Sequence, residues 1–158
     1  MGAITYYSSV VKLHAVFAAL FLLAACRSKN DAGNLNTAEV TFPNGKTVIV
    51  ETMLRDVDQM RGMMFRDSLA KDRGMLFVHT ADENHPYWMY QVRIPLDIIW
   101  MDHSRRIVEI VANAPPCPSA PAHDCPSFGG HEKSRYVLEL AGGGAAQYGV
   151  KIGDQLNF

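Results

Sequence analysis

The sequence predicts an α+β fold, a strand-dominated, mostly antiparallel and barrel-like small sheet with two short helices. Short runs rich in β-branched and aromatic residues recur between residues 38 and 158, and turn-forming residues separate them. Only two stretches have helical character, unlike the regular strand–helix alternation of a parallel α/β protein. The 158 residues, 48% of them hydrophobic, provide material for one sizeable core. We therefore expect residues 38–158 to form a single globular β-rich domain.

The amino-terminal residues 1–25 are predicted to be a lipoprotein signal peptide. Residues 15–25 are apolar, but this run is shorter than the roughly 20 residues that a membrane-spanning helix needs. It ends in Leu23-Ala24-Ala25-Cys26, which resembles the bacterial lipobox, where cleavage precedes a cysteine that receives a lipid. An ordinary signal peptide with an incidental cysteine is the alternative. The lipobox implies that lipidated Cys26 anchors the protein in a membrane on the periplasmic side of the bacterial envelope, with the polar residues 26–37 as a tether.

The domain is predicted to open with a β-hairpin and a helix. Asn44-Gly45 lies between two β-branched runs, residues 38–42 and 46–53, and this dipeptide is typical of tight hairpin turns. Asp56 and Gln59 then fit a capping box, which predicts a short helix from Asp56 to about residue 63. The apolar face of this helix is expected to carry Val57, Met60 and Met64.

The middle of the chain is predicted to contain four strands. Residues 74–79 are continuously apolar, which indicates a buried strand. Residues 87–92 and 96–102 are two further strands, and Pro95 bends the chain between them because proline cannot donate to a sheet. Residues 106–112 are expected to pair back on the preceding strand as a hairpin.

The carboxyl-terminal part is predicted to return to the sheet after a proline-rich excursion at residues 115–126. Residues 136–140 have the alternation of a strand. Residues 141–148 are predicted to be helical up to Gly149, although each of three glycines weakens a helix by about 1 kcal/mol relative to alanine. Residues 155–158 are expected to form a final strand.

Five sequence blocks occur in a recognisable order. They are Arg61-Gly62-Met63-Met64-Phe65-Arg66, Gly74-Met75-Leu76-Phe77, Tyr87-Trp88-Met89, Ile94-Pro95-Leu96-Asp97, and Tyr136-Val137-Leu138-Glu139-Leu140 with Gly149-Val150-Lys151-Ile152-Gly153-Asp154. From about residue 48 onward the chain resembles the family called domain of unknown function 192. The resemblance implies a compact, strand-dominated and often exported domain, and it implies no activity. Where that family usually has Lys-Asn-Thr after Trp-Met, this chain has Tyr90-Gln91-Val92.

Five residues form the predicted ligand-binding site: Arg61, Arg66, Trp88, Asp97 and Asp102. Arginine offers a planar fork for a carboxylate or phosphate, and tryptophan offers a flat face for a sugar ring. The bend at Pro95 is expected to turn these groups toward one pocket for a small polar, anionic or carbohydrate ligand. The alternative is a buried structural ion pair between Asp97 and one of the two arginines, with Trp88 in the core.

These observations favour a non-enzymatic envelope protein that binds a small molecule or an envelope partner, without a cofactor. The net charge of -1 and the lack of a basic run argue against nucleic acid as a partner. An enzyme acting on envelope carbohydrate, with Asp97 or Asp102 as acid or base, is one alternative, although their spacing on a strand predicts opposite faces. A copper-handling protein is another, because thioether sulfurs bind Cu(I). Its candidate ligands would be Met60, Met63, Met64, Met75, Met89 and Met101.

Cys117 and Cys125 bracket the proline-rich excursion and are predicted to form a disulfide. Outside the cytoplasm an even pair of cysteines favours a disulfide, and Cys26 would be used by the lipid. The competing prediction is a zinc site that adds His123 and His131, although the spacing departs from the usual zinc motifs. Two other histidines, His79 and His85, are expected in a solvated turn.

Overall fold

The structure is a computed structural model, and it describes residues 36–158. The predicted signal peptide, Cys26 and almost all of the predicted tether lie outside these residues. Among the residues that are described, no helix is both long and apolar enough to cross a membrane.

A six-stranded sheet in the order β1-β2-β3-β8-β5-β6 forms the centre of the domain, and β4 pairs with β7 in a separate two-stranded ribbon. Every strand pair is antiparallel except β2–β3. This confirms the predicted fold class, but the six-stranded sheet is open and does not close into a barrel. The strands are β1 (Thr37–Thr41), β2 (Thr47–Met53), β3 (Arg73–Asn84), β4 (Tyr87–Trp88), β5 (Leu96–Met101), β6 (Ile107–Ala114), β7 (Ser127–Phe128) and β8 (Lys133–Ala141). The helices are α1 (Asp56–Arg61) and α2 (Gly144–Tyr148), with a 3₁₀ turn at Ala122–Asp124.

The connection from β2 to β3 was not predicted. β1 and β2 form the expected hairpin, with Val40 opposite Val48 and Gly45 in the left-handed region at φ 78°. β2 and β3, however, run parallel, with Ile49 aligned to Arg73. A parallel pair needs a long crossover, which α1 and the loop after it supply. The structure therefore contains one βαβ unit, whereas the sequence analysis expected none.

The capping box predicted at the start of α1 is wrong. The residue preceding the helix is Arg55, and no side chain caps it. The side chain of Gln59 instead donates to the backbone oxygens of Met53 and Val78, at 3.2 and 2.9 Å. This side chain therefore fastens α1 to the end of β2 and to the middle of β3, which the sequence of the helix by itself does not reveal.

Three further elements differ in extent from their predictions. Of the predicted strand 87–92, Tyr87–Trp88 forms a strand that pairs outside the main sheet, and Tyr90 makes a single bridge to Cys117. The second helix begins three residues late, at Gly144, because β8 continues through Ala141 and Gly143 adopts a left-handed φ of 87°. The predicted last strand is reduced to single bridges, from Gln155 to Arg106 and from Asn157 to Thr41.

Both faces of the central sheet are covered. All six residues of β5 are buried, so the side chains on both faces of this strand point into apolar surroundings. The first cluster contains Val40, Phe42, Val48, Val50, Leu76, Ile99, Met101, Ile107, Leu138, Leu140, Ala145, Tyr148 and Leu156. The second contains Met53, Met63, Met75, Phe77, Met89, Val92, Leu96, Ile98, Trp100, Ala114 and Val137. A polar residue on β5, such as Asp97, is therefore buried whichever face it occupies.

Candidate functional site

A small hollow with a cavity volume of about 30 Å³, open to solvent on one side, lies between the end of α1 and residues 87–92. We call it the α1 hollow. Gly62 ends the helix with a φ of 43° and lies against Phe77, where an added Cβ would approach the ring to 3.2 Å. The hollow is lined by Gln59, Met60, Arg61, Gly62, Met63, Met64, Phe77, Tyr87, Trp88, Tyr90, Val92 and Glu139.

Glu139 brings a buried carboxyl group to this hollow. Its neighbour Val137 belongs to the second apolar cluster, while Leu138 and Leu140 belong to the first, so strand alternation directs Glu139 toward the second cluster. Its exposed fraction is 5%, and its Oε2 atom has no hydrogen-bond partner among the described residues. An unpaired polar atom at such depth costs about 1–3 kcal/mol, and that cost calls for an explanation.

The surroundings of Glu139 favour its uncharged form. Burial raises the pKa of Glu139 to about 8, and the positive charge of Arg66 opposes this rise only in part. Near neutral pH the group is therefore mostly a carboxylic acid, which has one O–H donor and can also accept. A carboxyl group in this state can bind a hydroxyl group and does not repel an anion.

Aromatic side chains form one side of the hollow. The indole of Trp88 is 45% exposed, and its ring lies 5.2 Å from that of Tyr90 at a tilt of 40°. Tyr87 contacts Phe77 edge-on, with ring centroids 5.0 Å apart. Trp88 therefore presents an accessible flat surface, while Tyr87 and Phe77 form a rigid layer behind it.

His79 and His85 support Tyr87 instead of occupying the solvated turn that the sequence suggested. Their rings stack at 3.6 Å, and Nε2 of His79 is hydrogen-bonded to the Tyr87 hydroxyl at 3.1 Å. Burial lowers the pKa of His79 to about 4, and the neighbouring His85 adds to this effect. Burial also raises the pKa of Tyr87, so both hydrogen-bonded groups are uncharged near neutral pH.

The two predicted arginines have different surroundings. Arg61 is exposed and lines the α1 hollow. Arg66 donates two hydrogen bonds to the carboxylate of Glu51, each 2.6 Å long, and hydrogen bonding to Glu51 raises the pKa of Arg66. Because this bidentate pair uses the guanidinium fork, Arg61 is the arginine that remains at the hollow.

Asp97 is not in the hollow, contrary to the prediction of one shared pocket. It is fully buried and accepts hydrogen bonds from the backbone N–H groups of Asn113, Gly143 and Ala145, at 2.8, 3.1 and 2.7 Å. The predicted alternative, an ion pair with Arg61 or Arg66, is also wrong. Asp97 instead fastens the start of α2 and the end of β6 to β5.

Asp102 also has a local structural role. Its Oδ1 accepts hydrogen bonds from the backbone N–H groups of Ser104 and Arg106, at 2.8 and 3.0 Å, in the turn between β5 and β6. Asp97 and Asp102 therefore do not form an acid–base pair at the α1 hollow. Of the five predicted site residues, the structure brings together Arg61 and Trp88.

Cys117 and Cys125 form the predicted disulfide. The zinc alternative is wrong because the two thiols are bonded to each other. His131, its fourth candidate ligand, is hydrogen-bonded to Glu109 at 2.6 Å. Between residues 36 and 158 there is no group of three or more His, Cys, Asp or Glu residues placed to hold a metal ion.

The six methionines of the copper alternative are divided between two environments. Met60, Met63 and Met64 line the α1 hollow. The others, Met75, Met89 and Met101, are buried in the two apolar clusters. Met63 also belongs to the second cluster, so four of the six side chains fill the core, as flexible thioether side chains often do.

The disulfide loop helps to position the aromatic side of the hollow. The backbone N–H of Gln91 donates to the oxygen of Cys117 at 3.0 Å, and the N–H of Cys117 donates to Val92 at 3.1 Å. These bonds hold the chain on the carboxyl side of Tyr90 against the loop that the disulfide closes.

Glu139, Tyr87 and Tyr90 line the hollow, but the sequence patterns do not predict them as site residues. Glu139 was read as part of an ordinary alternating strand, in which a polar side chain faces solvent. One signal points the other way: residues 98–101 within the predicted strand are continuously apolar, which predicts a sheet covered on both faces. A carboxyl group on a strand next to it is then expected to be buried.

The comparisons with known proteins identify relatives of unknown function. The family model DUF192, described as "Uncharacterized ACR", matches residues 39–158. A protein of unknown function from Novosphingobium aromaticivorans is 31% identical, with a TM-score of 0.62, over 77% of this chain and 84% of that one. A structure described as a candidate transcription regulator from Sinorhizobium meliloti is 29% identical, with a TM-score of 0.65, over 79% of this chain and 97% of that one. The search of the curated proteins gave no match.

Proposed function

The chain belongs to the DUF192 family, and we propose that it is a lipid-anchored envelope protein whose domain binds a small carbohydrate in the α1 hollow. The observation that carries the proposal is the carboxyl group of Glu139. It is buried, its Oε2 has no partner within the part of the chain that the structure describes, and it lines a hollow that reaches solvent. A ligand hydroxyl group would satisfy this atom.

The rest of the lining matches the two chemical faces of a sugar. A pyranose ring has an apolar C–H face, for which the exposed indole of Trp88 offers a flat partner. Its hydroxyl groups need donors and acceptors, which the carboxylic acid of Glu139 and the guanidinium of Arg61 provide. A sugar with a carboxylate suits the site further, because Arg61 attracts the anion while uncharged Glu139 does not repel it.

Binding is favoured over glycoside hydrolysis by the number of carboxyl groups. Most glycoside hydrolases use two carboxyl groups that flank the scissile bond. Among the residues lining the α1 hollow, Glu139 is the sole Asp or Glu. The predicted alternative of Asp97 or Asp102 as acid or base loses its geometric support, because both carboxylates are bonded to backbone N–H groups elsewhere.

The anchor is the second part of the proposal and depends on residues that the structure does not describe. It is supported by the apolar run at 15–25 and by Cys26 directly after Leu-Ala-Ala. Mass spectrometry of the chain purified from membranes tests it. We expect a chain that starts at Cys26 and carries diacylglycerol, and an intact amino terminus would refute the anchor without affecting the binding site.

Titration calorimetry with glucose, N-acetylglucosamine and glucuronic acid tests the binding site. We expect at least one of these sugars to bind, with glucuronic acid favoured by Arg61. A ligand at 100 times its dissociation constant should stabilise the protein by about 2.7 kcal/mol, which a thermal-shift assay detects.

Two substitutions and one control make the test specific. Trp88→Ala and Glu139→Ala should each abolish or strongly weaken binding, because they remove the flat surface and the buried carboxyl group. Ser134→Ala is the matched control, since Ser134 is also buried on β8 with an unpaired oxygen but does not line the hollow. Failure of all three sugars to bind, or equal affinity in the Trp88 variant, would overturn the carbohydrate proposal.

A further inference from the structure

We propose that the end of the domain around α1 docks on the lipid surface that holds the anchor. This inference rests on the lipid anchor of the proposed function and is independent of the carbohydrate. It starts from an exposed apolar patch, which consists of Leu54, Val57, Met60, Phe65 and Trp88. The exposed fractions of these side chains are 53, 64, 73, 51 and 45%, respectively.

The patch is concentrated at one place. Among residues 36–158 there is one further large exposed hydrophobic side chain, that of Ile152. Val57 and Met60 are three residues apart on α1 and so share one face of the helix. Met60 and Trp88 border the same hollow, and the backbone N–H of Phe65 donates to Gln91 at 2.9 Å. A soluble surface rarely exposes so many apolar side chains together unless they contact a partner.

The predicted tether enters the domain at this end, which is why we identify the partner as the membrane. Asn36, the first described residue, accepts hydrogen bonds at its backbone oxygen from the N–H and the hydroxyl of Thr52, at 2.7 and 2.6 Å. Thr52 lies two residues before Leu54, the start of the patch. Nine residues separate Asn36 from Cys26, and such a segment spans at most roughly 35 Å when fully extended. A lipid on Cys26 would therefore keep this end of the domain close to the bilayer.

The charges around the patch indicate which lipids it prefers. Arg55 is paired with Asp58, and Arg93 lies 6.0 Å from the Phe65 ring while it is paired with Asp67. Arg61 and Asp56 add one charge of each sign. Because these charges balance, insertion of apolar side chains should dominate over attraction to anionic lipids. Docking would place the mouth of the α1 hollow, which Met60 and Trp88 border, at the level of the lipid headgroups.

Fluorescence quenching tests docking separately from lipidation. The chain from Cys26 onward retains both apolar clusters, which lie within residues 40–156. Its one free thiol is Cys26, because Cys117 and Cys125 are bonded. That thiol can be coupled to a maleimide lipid in phosphatidylcholine vesicles with brominated acyl chains, so the result does not depend on whether cells lipidate the protein.

The expected result is a loss of Trp88 emission on brominated vesicles compared with unbrominated ones. Trp100 is fully buried and provides the background, which the Trp88→Phe variant measures. The double variant Val57→Asp/Met60→Asp should abolish the loss, whereas the matched control Ile152→Asp, at an equally exposed position, should retain it. Addition of phosphatidylglycerol should change the loss little. If the coupled native chain is quenched no more than Trp88→Phe, the docking proposal is overturned.

Discussion

Arg66 is held by Glu51 through two hydrogen bonds of 2.6 Å each. The positive charge of Arg66 lowers the pKa of the nearby Glu139, but burial of Glu139 has the larger effect. The fold thus pairs the guanidinium of Arg66 with the half-buried carboxylate of Glu51, and among residues 36–158 the buried Glu139 has no ion-pair partner. This arrangement has a stability cost that depends on pH.

The stability of the protein should fall as pH rises, in a way that depends on Glu139. The unfolded chain releases this proton near pH 4.5, whereas the folded protein keeps it to about pH 8. Between these values the folded state binds more protons, so this group lowers the free energy of unfolding by up to about 1.4 kcal/mol per pH unit. The effect is absent below the lower value and levels off above the upper one. Glu139→Gln should remove it.

Urea unfolding at about pH 5 and pH 8 measures this effect. Relative to the native protein, the Glu139→Gln variant should gain stability between the two pH values. The Ser134→Ala variant should follow the native pH dependence. If the free energies of unfolding of the native and Glu139→Gln proteins differ by the same amount at both pH values, an uncharged carboxyl group at Glu139 is contradicted.

Replacement of Asp97 should cause a large loss of stability. Asp97→Ala leaves three backbone N–H groups without their acceptor, two of them at the start of α2. At about 1–3 kcal/mol for each buried unpaired group, we expect a loss of at least roughly 3 kcal/mol. Asp102→Ala is the comparison, because its bonds lie in an exposed turn and should cost about 1 kcal/mol. Denaturant titration measures the loss of stability in each variant. Similar losses in both would show that the burial of Asp97 does not determine the cost of removing its carboxylate.

Reduction of the disulfide should affect the α1 hollow as well as overall stability. Opening the link between Cys117 and Cys125 should lower the free energy of unfolding by about 2–3 kcal/mol. It should also increase hydrogen exchange at the amide of Gln91, which donates to Cys117. The amide of Thr41, bonded to Asn157, serves as the distant reference. Equal loss of protection at both amides would mean that the disulfide acts on the whole domain and not on the side of the hollow.

Two glycines allow steric overlap to be separated from backbone strain. Gly129 and Gly143 both have left-handed φ angles, of 58° and 87°. A Cβ at Gly129 would overlap the indole ring of Trp100, whereas at Gly143 nothing lies within 4 Å. Gly143→Ala should therefore cost about 1 kcal/mol, from strain. Gly129→Ala should cost roughly 3 kcal/mol or more, since overlap adds to strain. Thermal unfolding of the two variants measures the difference, and equal losses would contradict this packing.

The sequence by itself determined features that depend on neighbouring residues along the chain. The Asn44-Gly45 turn set the first hairpin, because glycine readily adopts the left-handed φ of 78° that Gly45 has there. The apolar run at residues 74–79 predicted a buried strand, and residues 74–77 are buried in β3. The cysteine pair predicted its disulfide from its even number and from the export signal that the sequence predicts. The family blocks identified the family because their order is specific.

Tertiary structure alone decided the partners of the polar side chains. Arg66, Asp97 and Glu139 are all ionisable residues, and no local sequence pattern distinguishes their roles. Arg66 binds Glu51, and Asp97 binds backbone N–H groups. Oε2 of Glu139 has no hydrogen-bond partner among the described residues. These outcomes depend on the parallel pairing of β2 with β3 and on apolar layers over both faces of the sheet. Hydrogen bonds and desolvation act over a few ångströms in space, whereas these residues and their partners are separated by many positions in the chain. Their roles are therefore defined only once the fold brings them together.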